Sequence, residues 1–228
     1  MATSRTKTGC VFVFRENKGK KKGDRKVSKF DFFIRRFHSL IALVPLGMFL
    51  CVHFLLNSAV FISNEAYLQV INFMKNAPFI IVLELVLIAI PILFHGIYGI
   101  YIAFLAKNNA FQYRYYRNLA FYLQRLTGFV VLAFLICHVY TLRIAVHSPE
   151  SVMAVLMAQM QNPLILLLYI AGVVGSVFHL TNGLFTFCIT WGICVGDRAQ
   201  KIFALCAVAL FVVMSVWAVG ILLTLSVA

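Results

Sequence analysis

Five long apolar runs separated by short polar stretches set the pattern of this 228-residue chain. They extend from about Arg36 to Ile62, Pro78 to Ala106, Phe121 to Val146, Pro163 to Gly192 and Ile202 to Val227. Each is long enough for a helix across a hydrocarbon core of ~30 Å, at ~1.5 Å of rise per residue. Between the first two lies a short polar connection with Asn64, Glu65 and Lys75; between the second and third, the basic and aromatic loop Lys107 to Asn118. Deep within each of the first four runs sits one histidine: His53, His95, His138 and His179, at steps of 42, 43 and 41 residues.

Composition agrees with the pattern. A chain 62% hydrophobic and 12% charged belongs with integral membrane proteins. The net charge of +13 would suit a nucleic-acid binder, but 12 of the 20 Lys and Arg fall in residues 1–36, ahead of the first run. A basic segment there is a topology signal and a contact for lipid headgroups, so no nucleic-acid partner is expected. Residues 1–30 read as a flexible, solvated cytoplasmic tail, and residues 31–228 as the membrane domain. The remaining positive excess lies in Lys107, Arg114 and Arg117 and in Arg198 and Lys201, whereas the other connections carry Glu65 with Lys75, and Glu150. The N-terminus is therefore expected in the cytoplasm and the C-terminus outside, which five crossings satisfy. The first run is too long for a signal peptide and no small-residue cleavage site follows it. The six cysteines show no C-x-x-C or C-x-x-C-H spacing and read as small apolar side chains.

Depth sorts the histidines. His53 lies 17 residues beyond Arg36 and His138 17 beyond Phe121, both on outward helices, so each is about 26 Å from the inner end. His95 lies 11 residues before Ala106 and His179 13 before Gly192 on inward helices, about 16 to 20 Å from that end. An outer pair, His53 with His138, and an inner pair, His95 with His179, give the geometry of two bis-histidine haems. One buried histidine in a helix is commonly a structural hydrogen-bonder; four at matched depth are harder to explain that way. Gly99 lies one turn from His95, and Gly175 and Gly183 flank His179 at i−4 and i+4, leaving bare helix faces that suit a flat ligand. Such small-residue stripes also serve helix packing. His38, among Arg35, Arg36 and Ser39, reads as interfacial, and His147, beside Pro149 and Glu150, as an outer-loop residue.

Glu84 is the only carboxylate within the five runs. It precedes His95 by 11 residues, which at 100° per residue puts it within about 20° of the same helix face. Near the outer histidine level, it can snorkel to the surface or handle protons beside a quinone. Arg125 and Arg143, near the two ends of the third run, could pair haem propionates or lipid phosphates.

Several stretches resemble one family. They are Phe-Ile-Arg-Arg-Phe-His-Ser-Leu (33–40), Leu-Glu (83–84), His-Gly-Ile-Tyr-Gly-Ile-Tyr-Ile-Ala-Phe (95–104), Ala-Lys-Asn-Asn-Ala (106–110) and Gln-Arg-Leu-Thr-Gly (124–128). Further on come Cys-His-Val (137–139), Phe-His-Leu-Thr-Asn-Gly-Leu (178–184) and Thr-Trp-Gly-Ile (190–193). Over residues 31–228 the chain resembles the cytochrome b subunit of Bacillus-type succinate dehydrogenases, kin to the diheme fumarate reductase anchors. The resemblance implies an all-α membrane protein: five transmembrane helices bundled around two stacked b haems, in the bacterial cytoplasmic membrane. It implies haem iron ligation by His53 and His138 and by His95 and His179. It also implies docking, on the cytoplasmic side, to a flavoprotein (FAD) subunit and an iron–sulfur subunit. Electrons from succinate would reach quinone, menaquinone being the expected kind. The chain departs from the epsilonproteobacterial fumarate reductases at Val177, where they carry a glutamate used in proton transfer. A b-type anchor of a hydrogenase, formate dehydrogenase or nitrate reductase would also hold such haems. A secondary transporter would bury polar groups too, although the chain shows no pair of broken helices.

Overall fold

The computed structural model describes residues 29–106, 109–110 and 112–228, and every regular element among them is helical. The basic stretch read as a flexible tail thus lies outside the described residues except for its last two, as do Lys107, Asn108 and Phe111 of the aromatic loop. Five helices are long and apolar enough to cross a membrane: Lys29–Phe61, Ile80–Leu105, Tyr116–Ile144, Pro163–Thr190 and Asp197–Val227, here the first to fifth spans. Three begin earlier than the apolar runs do, at 29 rather than 36, 116 rather than 121, and 197 rather than 202. Their first turns carry charged residues, and a helix continues through these wherever they can reach water.

Proline shapes the first two spans. Pro45 has no N–H to give its own helix, and the backbone around it opens into a π-helical turn, Ala42–Gly47. In the second span a π turn, Glu84–Ala89, lies just ahead of Pro91. A third π turn, Tyr140–Ile144, ends the third span.

Two further helices lie where the sequence reads as polar connection: Asn64–Asn76 and Pro149–Gln161. Serine starts each one, Ser63 accepting from the Ala66 N–H and Ser148 from the Ser151 N–H. Tyr67 and Ile71 form one buried stripe, Val152, Leu156 and Met160 the other, at helical spacing. Together with Ala218, Ile221, Leu222 and Leu225 of the fifth span they make the best-buried part of the molecule, a cap over one end of the bundle. The opposite end, where Lys29 begins the first span, carries the turns between second and third spans and between fourth and fifth. Along the spans large apolar side chains such as Ile81, Leu93, Phe104 and Val213 remain exposed, as a lipid-facing surface requires.

The fourth span is central, packed between the third and fifth. Its close approach depends on Gly172, where a Cβ would run into the Phe134 ring and come within 2.9 Å of the Phe134 Cβ. Because the clash includes the Phe134 Cβ, rotating the ring cannot relieve it. Gly172→Ala is expected to cost about 1–3 kcal/mol through overpacking, lowering the melting midpoint in detergent, and to cost less in a Phe134→Ala background, which lacks the Cγ and Cδ2 of the clash. A midpoint equal to wild type would show that this contact carries no packing constraint.

Candidate functional site

The four histidines meet in two pairs, each joining alternate spans that run in the same direction. His53 of the first span and His138 of the third have ring centres 6.0 Å apart and planes at 89°. His95 of the second span and His179 of the fourth stand 6.0 Å apart at 86°. All four side chains are half-buried, and no hydrogen bond joins the members of either pair. Of the buried side-chain polar atoms without a partner among the described residues, two belong here, His95 Nδ1 and His138 Nδ1; the third is Ser215 Oγ. Leaving such an atom unsatisfied costs about 1–3 kcal/mol, so each pair contains a ring placed for something other than a protein partner.

The pair nearer the cap is held through main chain and rings. Asn57 donates to the His53 carbonyl (2.7 Å) and accepts from the Tyr67 hydroxyl (2.7 Å), tying the cap to the turn that carries His53. Burial raises the affinity of the Tyr67 phenol for its proton. His138 lies between Phe134 (5.4 Å) and Tyr169 (5.9 Å), whose hydroxyl donates to Gln159. At the other level His179 donates from Nδ1 to the Gln124 carbonyl at 3.0 Å, which leaves Nε2 with a free lone pair.

His38 is not merely interfacial. Its ring stacks on His95 at 4.3 Å and 8°, and its Nε2 donates to the His95 carbonyl at 3.2 Å. Beyond it Arg36 stands over the rings of Phe32 (5.0 Å) and Trp191 (5.3 Å). These residues, with Phe33, Phe37 and Leu40, line a groove of about 500 Å³ at the Lys29 end. His147 lies exposed in the turn after the third span.

Glu84 has a partner that the sequence reading did not give it. Arg143 Nε reaches both carboxylate oxygens (3.1 and 3.0 Å) and Nη2 reaches Oε2 at 2.7 Å. The π turn Glu84–Ala89 lies between this residue and His95, so 100° per residue no longer holds there and the side chain swings toward the third span. Arg143, which the sequence offers as a partner for a propionate or a lipid phosphate, is paired with Glu84 here. Lys75 joins the cluster by donating to the carbonyls of Val146 (2.9 Å) and His147 (3.0 Å). Burial and the neighbouring Arg143 cation lower its pKa, with Glu84 acting the other way. Arg125, by contrast, lies over the Phe121 ring and donates to the Phe121 carbonyl.

The glycines beside the histidines receive protein neighbours. A Cβ at Gly99 would lie 3.5 Å from His38 Nε2, one at Gly183 3.5 Å from Gln124 Nε2, and one at Gly175 3.6 Å from Val130. Val177 is wholly buried in the apolar core. Sequence reasoning missed Gln124, Asn57 and the pairing role of Arg143, since each acts across 50 residues or more or through a backbone carbonyl.

A five-span, all-helical bundle with two intramembrane histidine pairs defines a class of polytopic membrane protein. No family model matches the chain. It is 42% identical over 186 residues to the succinate dehydrogenase cytochrome b558 subunit of Bacillus subtilis (strain 168), a match covering 81% of this chain and 92% of that protein. The chain belongs to the family of succinate dehydrogenase cytochrome b558 subunits.

Proposed function

We propose that the histidine pairs of this membrane-anchor cytochrome b subunit hold two haem b groups, His53 with His138 and His95 with His179 as axial ligands. The paired-ring geometry carries the reading. With about 2 Å from metal to each imidazole nitrogen and about 1.2 Å on to each ring centre, two imidazoles on one iron stand roughly 6.4 Å apart, and both pairs stand at 6.0 Å. No cluster of three or more His, Cys, Asp or Glu among the described residues could hold a metal ion. An iron between two imidazoles must therefore bring its equatorial ligands with it, as a porphyrin does. The orphaned ring nitrogens of His95 and His138 fit the same group.

Bound there, two haems supply one-electron transfer along the bundle, from an iron–sulfur subunit at the Lys29 end toward quinone, menaquinone being the expected kind. The chain's own residues do the rest. The imidazoles hold iron, Gly99, Gly175 and Gly183 admit neighbouring side chains closely around them, and the apolar spans exclude water. Glu84, paired to Arg143 at the cap end, is the candidate for exchanging protons with quinone. The Lys29 end faces the cytoplasm of a bacterial cell, since positive charge flanks it, and the C-terminus lies outside. A flavoprotein subunit completes the complex. Membranes reduced with succinate should develop a b-type absorption band, with two haems per anchor polypeptide after purification. A band reducible only by dithionite, or one haem per chain, would contradict this.

Docking is expected at the Lys29 end through Arg114 and Arg117. Arg114 is exposed, and Arg117 bonds Gln200 at the start of the fifth span. Changing both to Glu should release the soluble subunits from membranes and leave the b-haem spectrum intact. Succinate dehydrogenase activity that stayed membrane-bound would show the dock lies elsewhere.

A further inference from the structure

The stretch Gln124-Arg-Leu-Thr-Gly128 of the third span lies directly against His179, and contacts from Gln124, Thr127 and Gly128 bear on that ring or its main chain. The Gln124 carbonyl accepts from His179 Nδ1 at 3.0 Å. This carbonyl is reachable because Gly128, one turn on, is bare; a Cβ there would lie 3.2 Å from His179 Cε1 and 3.7 Å from Nδ1. Gln124 then grips the fourth span a second time. Its Nε2 donates to the His179 carbonyl at 3.0 Å, and its Oε1 accepts from the buried Asn182 Nδ2 at 2.6 Å. The Thr127 hydroxyl, 3.4 Å from Nδ1, donates back to the Leu123 carbonyl at 2.7 Å. The partner ring is treated differently. His95 Nδ1 is buried with no protein partner, and the ring is steadied by the stacked His38.

We propose that Gln124 and Gly128 are positioning residues that fix the tautomer and ring plane of His179, and through them the redox balance of the haem held there. The inference rests on the haem-ligand reading above. A ligand imidazole whose Nδ1–H is donated to a carbonyl is a stronger base at Nε2. Stronger donation favours ferric iron over ferrous, so the clamp lowers that haem's potential. The side-chain amide holds the two helices in the register at which carbonyl and imidazole meet. Gly128 sets how close they come.

Redox titration of the purified complex, with low-temperature spectra of the ferric haems, tests this in Gly128→Ala and Gln124→Met. Gly128→Ala pushes the ring away from the carbonyl, and Gln124→Met removes both side-chain bonds while keeping the backbone carbonyl. Each is expected to retain two haems per polypeptide. At fixed ambient potential the ratio of reduced to oxidised haem should rise several-fold for the His95/His179 haem and stay unchanged for the other. The ferric signal of the same haem should shift with the ring plane. Wild-type potentials and ferric signals in both variants, or equal shifts in both haems, would overturn the proposal. Should Gly128→Ala fail to assemble, Gln124→Met carries the test by itself. A wild-type complex with fewer than two haems, or a His179→Ala variant retaining both, would instead overturn the haem reading beneath it.

Discussion

Replacing His95 or His179 by alanine is expected to leave one haem b per polypeptide, and replacing His53 or His138 to leave the other one. Each pair offers a single imidazole from each of two helices, 6.0 Å apart, so on the proposed ligation removing either deletes a nitrogen that no neighbour can replace. His38 is the nearest alternative at the His95 level. Its ring is stacked parallel to His95 and its Nε2 is engaged with the His95 carbonyl, so it cannot turn into the gap without losing that bond. Haem assayed per polypeptide decides the matter, and the two classes of variant should differ in which b-type band is missing. Full haem content in all four variants would sink the assignment. The loss should also destabilise the anchor, because a group bound only by the folded state contributes to its stability.

Glu84→Gln is expected to abolish most succinate–quinone turnover while succinate still reduces an artificial dye at the flavoprotein. Quinone reduction takes up protons with electrons, so its site needs a group that exchanges them with water. Glu84 sits at the cap end, half-exposed, with Arg143 across both oxygens and Lys75 nearby. Arg143 makes the site more specific than a lone acid would. It fixes the carboxylate's position, and Arg143→Gln should lower turnover too by releasing Glu84. Both variants should keep two haems. Unchanged turnover in an intact Glu84→Gln complex would return Glu84 to a structural ion pair. The quinone site would then be sought at the Lys29 end, in the groove between Arg36, Phe37 and Trp191.

How much of this was legible in the sequence varied with the distance over which each signal acts. The five spans could be read because a run of some twenty apolar residues has few other uses. Depth along those spans could be read because helical rise is constant, and alternate spans run in the same direction, so equal residue counts from one end bring side chains to one level. The cap helices were missed because Asn64, Glu65, Lys75 and Asn76 outweigh a narrow stripe of Tyr67 and Ile71. Ser63 and Ser148, each three residues ahead of the N–H it caps, were the local signal available. His38 was misjudged because its charged neighbours suggested a helix beginning at Arg36. With the helix starting two turns earlier, His38 lies inside the bundle. Glu84 was phased as a regular helix, and no composition rule gives a π turn at 84–89. Its bond to Arg143, 59 residues away, required three dimensions.

The most direct test of the central claim is a density map of the purified complex at a resolution that separates side chains. Two flat macrocycles are expected, one between His53 and His138 and one between His95 and His179, each with imidazole density on both faces. A map in which either pair meets without a group between them, or in which a haem takes an axial ligand from any other residue, would contradict it.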